Sequence, residues 1–311
     1  LFSDMVVFTS YGMQVVMAFM MLTMIFIMFP RANVSAGRIN EVIDTASSIK
    51  NGTKDGSAAK EVGTVKFKNV YFQYADASEH VLEGVSFKAN KGETVAFIGS
   101  TGSGKSTLIN LIPRYYDVTA GQVLVDGVNV KEYTEEALHD KMGFIPQKPV
   151  MFNGTIRSNL AFGTNAHGDM SDEDLMAAAR IAQAEEFILK NPEGLNAEVS
   201  QGGLNLSGGQ KQRLAIARAI ARKPEILVFD DSFSALDYKT DRVLRDTLKR
   251  ETAETTKLIV AQRIGTIIDA DQIIVLDKGK VVGRGTHDEL MASNEVYQEI
   301  AYSQLSKEEL A

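Results

Sequence analysis

The sequence predicts an α/β fold in which a parallel sheet core and an antiparallel β layer follow one membrane-spanning helix. Three observations carry this prediction. They are an uncharged run from Met5 to Pro30, a glycine-rich loop between a strand and a helix, and a series of apolar strands that alternate with helical segments. With 311 residues, 44% of them apolar, the chain is long enough for at least one sizeable core and, on average, for two domains.

The composition removes several functional classes. With 33 basic against 40 acidic residues and a net charge of −7, the chain has no basic surface for phosphodiester backbones, so no nucleic-acid partner is expected. The absence of cysteine rules out disulfides, thiol catalysis and Cys-ligated zinc or iron–sulfur sites. A His-based metal site is not expected either, since no two histidines have metal-ligand spacing among His80, His139, His167 and His287.

The N-terminal region predicts a transmembrane helix. The 25-residue run from Met5 to Phe29 contains no charge, and at ~1.5 Å per residue such a helix spans a hydrocarbon layer of ~30 Å. A signal peptide and a buried core helix are the alternatives. A signal peptide begins with basic residues, whereas here Asp4 precedes the run and Arg31 and Arg38 follow it. Those arginines favour a cytoplasmic exit at the C-terminal end.

The chain opens at Leu1 without a Met start, so residues 1–50 are expected to be the last helix of a longer membrane domain with its cytoplasmic extension. The spacing of apolar residues predicts that the helix continues over Ser35–Lys50. Gly, Lys and small polar residues dominate 51–63, which predicts a linker. The full-length protein is therefore expected to cross the cell membrane several times.

A phosphate-binding loop follows the first predicted strands. Alternating apolar residues predict strands over Thr64–Tyr74 and Val81–Phe87, which together indicate an antiparallel layer. The apolar strand Thr94–Gly99 then runs directly into a G-x-x-x-x-G-K-S loop and a helix over Thr107–Ile112. In such a loop backbone N–H groups close around phosphate, the lysine reaches the β/γ oxygens and the serine hydroxyl ligates Mg²⁺. The residues expected to bind nucleotide are Gly99, Ser100, Thr101, Gly102, Ser103, Gly104, Lys105, Ser106 and Thr107.

A second motif supplies a carboxylate for the Mg²⁺ ion and its water shell. Ile226–Asp230 is a continuous apolar run that ends in this carboxylate, as expected of a central parallel strand. Further apolar strands follow at Leu258–Ala261 and Ile273–Leu276, after the helical segment Asp241–Glu251. Strands that alternate with helices imply right-handed crossovers and a parallel sheet, which binds ligands at the carboxyl ends of its strands. The phosphate-binding loop lies at such an end.

Between these motifs stands the sequence LSGGQ at Leu206–Gln210, followed by an amphipathic helix through Ala221. At this point the sequence resembles the nucleotide-binding domain of ATP-binding cassette (ABC) transporters, over Val62–Leu305. The resemblance implies a P-loop NTPase fold of ABC type that uses ATP and Mg²⁺. The nucleotide-binding domain is expected over 64–305, with its helical subdomain at about 150–222. A C-terminal tail is expected over 306–311.

The resemblance also implies roles for single residues. Tyr74 resembles the aromatic residue that stacks on adenine, although an isolated strand tyrosine needs no such role. Gln147 resembles the residue that touches Mg²⁺ and the attacking water and couples to the membrane domain. The expected metal ligands are Ser106, Gln147 and Asp230. In this family two subunits pair head to tail, and the residues that would meet the partner's nucleotide or cross the interface are Ser207, Gly208, Gly209, Gln210 and Asp237.

Two positions depart from the family pattern. Asp231 stands where the family has the Glu that polarises water, and one CH₂ less withdraws the carboxylate by roughly 1.5 Å from a hydrogen-bond window of ~2.6 to 3.2 Å. Gln262 stands where the family has a switch histidine, and its amide donates a hydrogen bond but carries no positive charge. The two changes predict a hydrolysis-poor site. The expected catalytic residues are Lys105, Gln147, Asp231 and Gln262.

Degenerate sites of this kind occur in heterodimeric exporters of the family, where the intact signature completes the partner's competent site. The leading hypothesis is therefore one subunit of a heterodimeric ATP-driven exporter of drugs or other amphipathic compounds, with a cytoplasmic nucleotide-binding domain and a second cassette subunit as partner. The segments Thr155–Gly163 and Gln201–Gly203 resemble exporters rather than importers. A regulatory module that holds ATP without turnover is the alternative, and it leaves the intact signature unexplained. A DNA-repair cassette ATPase is opposed by the membrane helix, the acidic charge and the lack of a coiled-coil insertion.

Overall fold

The computed structural model describes residues 2–163 and 168–304 of the chain. The chain divides into two compact units, one ending at Lys50 and the other beginning at Asn51. Some sequence predictions lie outside the described residues, namely the domain end at Leu305, the tail over 306–311 and His167.

The first unit contains the helix α1 (Phe2–Ile43), none of whose residues is buried. Within residues 2–163 and 168–304, α1 is the one helix that is long and apolar enough to cross a membrane, by length and composition. The absence of burial argues against the core-helix alternative, because a core helix would cover its apolar side chains with protein.

The predicted continuation of this helix to Lys50 is wrong, because α1 ends at Ile43. After this point the Ser47 hydroxyl accepts a hydrogen bond from the backbone N–H of Ile49 at 3.3 Å. Hydroxyl side chains that bond to nearby backbone groups offer the chain an alternative to helical hydrogen bonds, and two further hydroxyl residues, Thr45 and Ser48, flank this position.

Three sheets lie in the described part of the second unit. Their strands are β1 (Val65–Phe72), β2 (Leu82–Ala89), β3 (Thr94–Gly99), β4 (Ala120–Val125), β5 (Val128–Asn129), β6 (Met142–Ile145), β7 (Gly154–Thr155), β8 (Glu198–Val199), β9 (Ile226–Asp230), β10 (Thr256–Val260), β11 (Gln272–Asp277) and β12 (Lys280–Gly285). The largest sheet has the strand order β12-β11-β3-β10-β9-β6 and is parallel except for the edge pair β11–β12. An antiparallel sheet has the order β2-β1-β4-β5, and β7 pairs with β8.

Helices connect these strands. They are α2 (Lys105–Asn110), α3 (Glu135–Asp140), α4 (Ile156–Leu160), α5 (Asp172–Ile181), α6 (Glu185–Lys190), α7 (Gly208–Ala221), α8 (Tyr238–Glu251), α9 (Ile264–Ile267), α10 (His287–Ser293) and α11 (Glu295–Gln304), with 3₁₀ turns at Val130–Glu132, Gly194–Asn196 and Gln201–Gly203. The helical segment predicted after the LSGGQ motif is thus present as α7.

The central sheet is buried on both faces. In β9, Leu227 and Phe229 belong to a core shared with α5 and α7, whereas Ile226 and Val228 belong to a core shared with α2 and the antiparallel sheet. Successive strand side chains point to opposite faces, so a strand between two cores is apolar at every position. This explains why the predicted bounds of β9 agree with the structure.

The predicted antiparallel layer is confirmed by the pairing of β1 with β2, in which Phe67 lies opposite Phe87 and their rings stack with centroids 4.5 Å apart. The strands β4, β5, β6, β7, β8 and β12 were not predicted. Four of them, β5, β6, β7 and β8, have only 2, 4, 2 and 2 residues, too few for a periodic pattern to emerge from the sequence.

The segment predicted as a linker, 51–63, belongs to the second unit and is hydrogen-bonded within it. The amide of Gly52 donates to the carbonyl oxygen of Tyr133 (3.0 Å), that of Thr53 donates to Glu132 (2.9 Å), and Lys54 forms a parallel bridge with Tyr133. A Cβ at Gly52 would collide with the carbonyl oxygens of Glu132 and Tyr133. The glycine therefore permits close backbone contact here, rather than free rotation.

Candidate functional site

Four neighbouring strands bring the predicted site together. In the order β3-β10-β9-β6 they are parallel, so their carboxyl ends lie at one edge of the sheet. The phosphate-binding loop follows β3, Gln262 follows β10, Asp230 and Asp231 end β9, and Gln147 follows β6. The Ser232 hydroxyl donates to the carbonyl oxygen of Ile145 (2.9 Å), which ties the end of β6 to the turn after β9.

The loop depends on its glycines. Gly104 has φ +97° at the N-cap of α2, and a Cβ there would lie 2.8 Å from Leu82 Cδ2. A Cβ at Gly99 would collide with the carbonyl oxygen of Leu276. Gly102 has φ +82° but open space around it, so it needs glycine for its backbone conformation alone. Gly104 as N-cap also explains why α2 begins at Lys105, two residues before the predicted start.

Lys105 lies folded back onto this loop. Its ammonium group donates to the carbonyl oxygens of Gly99 and Ser100, both at 2.8 Å, and lies 3.3 Å from Ser103 Oγ. Burial lowers the pKa of Lys105, and the carboxylates of Asp231 and Asp230 oppose this shift. The loop thus holds a buried cation, only 9% exposed, between its own carbonyls and two acids.

Two oxygen ligands suited to Mg²⁺ lie together beside the lysine. The Ser106 hydroxyl donates to Asp230 Oδ1 at 2.8 Å. Burial raises the pKa of Asp230, and the hydrogen bond from Ser106 opposes this shift. A buried carboxylate of raised pKa gains stability from a nearby cation, and hydroxyl and carboxylate oxygens are the hard ligands that Mg²⁺ prefers. These residues therefore fit Mg²⁺.

Asp231 is held by both glutamines that the sequence singled out. Its Oδ2 accepts hydrogen bonds from Gln147 Nε2 at 3.0 Å and from Gln262 Nε2 at 2.7 Å. The residue is only 7% exposed and has φ +47°, and its amide donates to the carbonyl oxygen of Val260 at 3.0 Å. Burial raises the pKa of Asp231, and the hydrogen bond from Gln147 opposes this shift. Two amide donors therefore occupy one of the two carboxylate oxygens of Asp231.

These groups line a cleft of about 580 Å³, a size typical of ligand sites. The predicted residues that line it are Gly99, Ser100, Thr101, Gly102, Gly104, Lys105, Ser106, Thr107, Gln147, Asp231 and Gln262. The cleft is also lined by residues that the sequence did not single out: Val81, Val260, Ile300, Ser303 and Gln304. The last three lie on α11, and no motif in the sequence pointed to them.

The LSGGQ residues lie outside this cleft. Ser207 is the N-cap of α7, its hydroxyl accepts from the amide of Gln210 at 3.2 Å, and the Gln210 side chain accepts from the amide of Ser207 at 2.9 Å. This reciprocal capping fixes the helix start. Ser207 and Gly208 are exposed. Asp237 is likewise an exposed N-cap, of α8, and accepts from the amide of Thr240 at 3.0 Å.

The comparison with known protein families gives one decisive match. A family described as "ABC transporter" matches residues 82–234, the stretch from β2 through the phosphate-binding loop and the LSGGQ motif to the turn after β9. The chain contains an ABC transporter ATP-binding domain.

Relatives of known sequence extend the ABC match over nearly the whole chain. An uncharacterized ABC transporter ATP-binding protein of Mycobacterium tuberculosis is 45% identical over 302 residues, which are 97% of this chain and 52% of that protein. A putative multidrug export ATP-binding/permease protein of Staphylococcus aureus is 41% identical over 260 residues, 84% of this chain and 44% of that protein.

A solved structure of a bacterial Atm1-family ABC exporter with ATP bound matches with a TM-score of 0.82 and 34% identity. The match covers 92% of this chain and 50% of that one. The chain thus spans about half the length of the ABC proteins that it matches. The ABC fold predicted from the sequence, with an apolar helix before it, is confirmed.

Tyr74 lies beside the ABC phosphate loop but does not line the cleft. Its hydroxyl is 3.0 Å from Thr107 Oγ1, and its ring meets those of Phe72 and Tyr116 edge to face, at 4.8 and 5.2 Å between centroids. These contacts hold the ring at the loop-proximal end of β1. They are compatible with adenine stacking and also with the role of an ordinary strand tyrosine.

Proposed function

We propose that this chain is the ATP-binding part of an ABC exporter that moves drugs or other amphipathic compounds across the cell membrane. In this proposal α1 lies in the bilayer, and a nucleotide-binding domain over 64–305, with its helical subdomain at about 150–222, lies in the cytoplasm. One observation carries the ATP site: the phosphate-binding loop and side chains following three neighbouring strands converge on one cleft. The name of the Staphylococcus aureus relative and the apolar length of α1 support export through a membrane.

The chain's own residues divide the work of binding. When bound with Mg²⁺, ATP supplies the phosphoryl group that is transferred to water. When ATP binds, the ammonium group of Lys105 gives up its hydrogen bonds to the two loop carbonyls and donates instead to the β/γ phosphate oxygens, which carry more negative charge. Ser106, Gln147 and Asp230 would hold the metal ion through their oxygens. Tyr74 would stack on the adenine.

The site is hydrolysis-poor in this proposal. A general base must accept a proton from water, and the carboxylate of Asp231 already accepts two amide hydrogens at 2.7 and 3.0 Å. Gln262 carries no charge with which to stabilise the transition state. The site therefore retains ATP and hydrolyses it slowly. Most turnover takes place at the site of a second cassette subunit.

The exposed start of α7 completes that second site. Ser207 and Gly208 are exposed and lie outside their own cleft, and reciprocal capping with Gln210 fixes the start of a 14-residue helix at this exposed position. The positive end of such a helix stabilises an anion, here the γ-phosphate held by the partner subunit. Asp237, at the start of α8, would lie at the same interface.

Lys105→Ala tests the ATP site. The protein is solubilised in detergent and titrated with a fluorescent ATP analogue. The variant removes one charged hydrogen-bond donor from the phosphate site, so the affinity should fall by about tenfold or more. Lys190→Ala is the matched control, since this exposed lysine on α6 pairs with Glu186 and does not line the cleft. Equal affinities for wild type and Lys105→Ala would refute the assignment.

A further inference from the structure

The end of α11 reaches the nucleotide cleft. Three of its residues, Ile300, Ser303 and Gln304, line the cleft together with the phosphate-binding loop. They are separated by more than 190 residues from Lys105 and belong to none of the motifs that identified the site. The proposed ATP site does not yet give them a role.

Gln304 makes a two-point contact with the turn that carries Gln262. Its Oε1 accepts a hydrogen bond from the backbone amide of Ile264 at 2.9 Å, and its Nε2 donates to the carbonyl oxygen of Gln262 at 2.7 Å. One side-chain amide thus spans Arg263 and holds the backbone on both sides of it. A planar amide bound at both ends restricts rotation of this turn more than a single hydrogen bond would.

The helix that presents Gln304 is itself firmly packed. Tyr297 and Ala301 on α11 are fully buried, and the Tyr297 hydroxyl is hydrogen-bonded to His287 Nδ1 at 2.8 Å. The backbone amide of Tyr297 also donates to Asn294 Oδ1 at 2.8 Å. The anchor of the helix therefore lies in the core, and Gln304 projects from the end of a rigid element.

The contact of Gln304 connects through Gln262 to Asp231 in the nucleotide cleft. The turn held by Gln304 carries the Gln262 side chain, which donates one amide hydrogen to Asp231 and lies in the same cleft as Lys105. A side-chain amide has two hydrogens, so Gln262 can donate its second one to a phosphate oxygen. The direction of that donor depends on the backbone at Gln262, which Gln304 fixes.

We propose that Gln304 is a positioning residue that aims the Gln262 amide at the terminal phosphate and so sets the preference of this site for ATP over ADP. The inference rests on the proposed ATP site. It differs from a purely structural role of Gln304, because a structural role would affect the binding of both nucleotides alike. Only ATP carries the third phosphate that an amide at this end of the cleft would recognise.

Gln304→Met tests the proposal. Met has nearly the same length and volume but cannot form either hydrogen bond, and the side chain is exposed, so the fold should persist. The detergent-solubilised protein is titrated with MANT-ATP and MANT-ADP in the presence of Mg²⁺. The expected result is a loss of about fivefold to tenfold in ATP affinity with ADP affinity unchanged, the loss typical of one net hydrogen bond.

Gln298→Met is the matched control on the same helix. Its side chain donates to the carbonyl oxygen of Met291 at 2.7 Å and does not line the cleft, so both affinities should stay at the wild-type values. Hydrogen–deuterium exchange checks the contact directly, because the amide of Ile264 should exchange faster in Gln304→Met and at the wild-type rate in the control.

Two outcomes would overturn the inference while leaving the ATP site intact. One is an ATP affinity that Gln304→Met leaves at the wild-type value, and the other is an equal loss of affinity for both nucleotides. Failure of the wild-type protein to bind MANT-ATP would instead overturn the proposed function, and this inference with it.

Discussion

Replacing Asp231 by Asn separates a general base from a structural acceptor. The carboxylate accepts two hydrogen bonds on Oδ2, from Gln147 and Gln262, and its backbone has φ +47°. Asn keeps an acceptor oxygen for both donors and, like Asp, tolerates this left-handed conformation. The variant should therefore fold and keep the network while losing the ability to take a proton from water.

The magnitudes follow from these contacts. Exchanging a charged for a neutral acceptor costs roughly 1 kcal/mol per hydrogen bond, or about 2 kcal/mol for the pair. The loss is offset because burial destabilises the charged form of Asp231, which raises its pKa, and Asn removes that charge. The free energy of unfolding should therefore change by less than about 2 kcal/mol. A working general base contributes ~10² to 10⁴-fold to the rate. If Asp231 is not one, ATPase activity should fall by no more than about threefold.

The assay is steady-state ATPase activity of the assembled transporter in proteoliposomes. Asp231→Asn is compared with the replacement of the catalytic Glu in the partner subunit, which should nearly stop hydrolysis. The converse variant, Asp231→Glu with Gln262→His, restores the family pattern and should add hydrolysis that survives the partner's mutation. If Asp231→Asn abolished turnover as completely as the partner's mutation does, Asp231 would be a general base and the hydrolysis-poor site would be refuted.

Three further predictions concern the signature, a buried lysine and the loop. Ser207→Arg should leave ATP binding by this subunit's own cleft nearly intact and abolish most ATPase activity of the transporter, because in the proposed arrangement the exposed N-cap of α7 meets the partner's nucleotide. Fluorescent-nucleotide titration and ATPase assays measure the two effects. Lys257 donates to two backbone carbonyls at 2.7 and 2.9 Å, and burial lowers its pKa to about 8 from 10.5. Between these pH values the unfolded chain binds more protons, so stability should rise with pH from about 8, and urea unfolding of Lys257→Met should lack this rise. Gly104→Ala should lower the free energy of unfolding by about 1 to 3 kcal/mol more than Gly102→Ala, because both residues have positive φ but only Gly104 has Leu82 within 2.8 Å of a Cβ.

Each of these has an outcome that contradicts it. Full ATPase activity in Ser207→Arg would favour a regulatory module that holds ATP without serving a partner. An identical rise of stability with pH in wild type and Lys257→Met would assign the titration to other groups. Equal effects of alanine at Gly102 and Gly104 would mean that backbone strain, and not the contact with Leu82, limits the loop.

Local patterns account for most of the correct predictions. The bounds of β9 followed from an unbroken apolar run, which arises because both faces of the central sheet are buried. The predicted end of α7 at Ala221 is confirmed, whereas its start at Gly208, capped by Ser207, lies inside the motif that was expected to precede the helix. At α8 the cap Asp237 moved the helix start to Tyr238, ahead of the predicted Asp241. Interactions of this kind involve neighbours within a few residues, so the sequence carries them almost completely.

The sequence by itself determined the phosphate-binding loop, the carboxylates Asp230 and Asp231 and the two glutamines, since each stands in a contiguous motif. Only the tertiary structure decided what these groups do to each other. The order β3-β10-β9-β6 brings Gln147 and Gln262 onto one carboxylate oxygen. It also places the exposed end of α11 at the cleft, and the supposed linker docks on Tyr133. The physical reason is that these contacts join residues distant in the chain, whose proximity depends on the order of the strands and on packing between cores, which no local periodicity records.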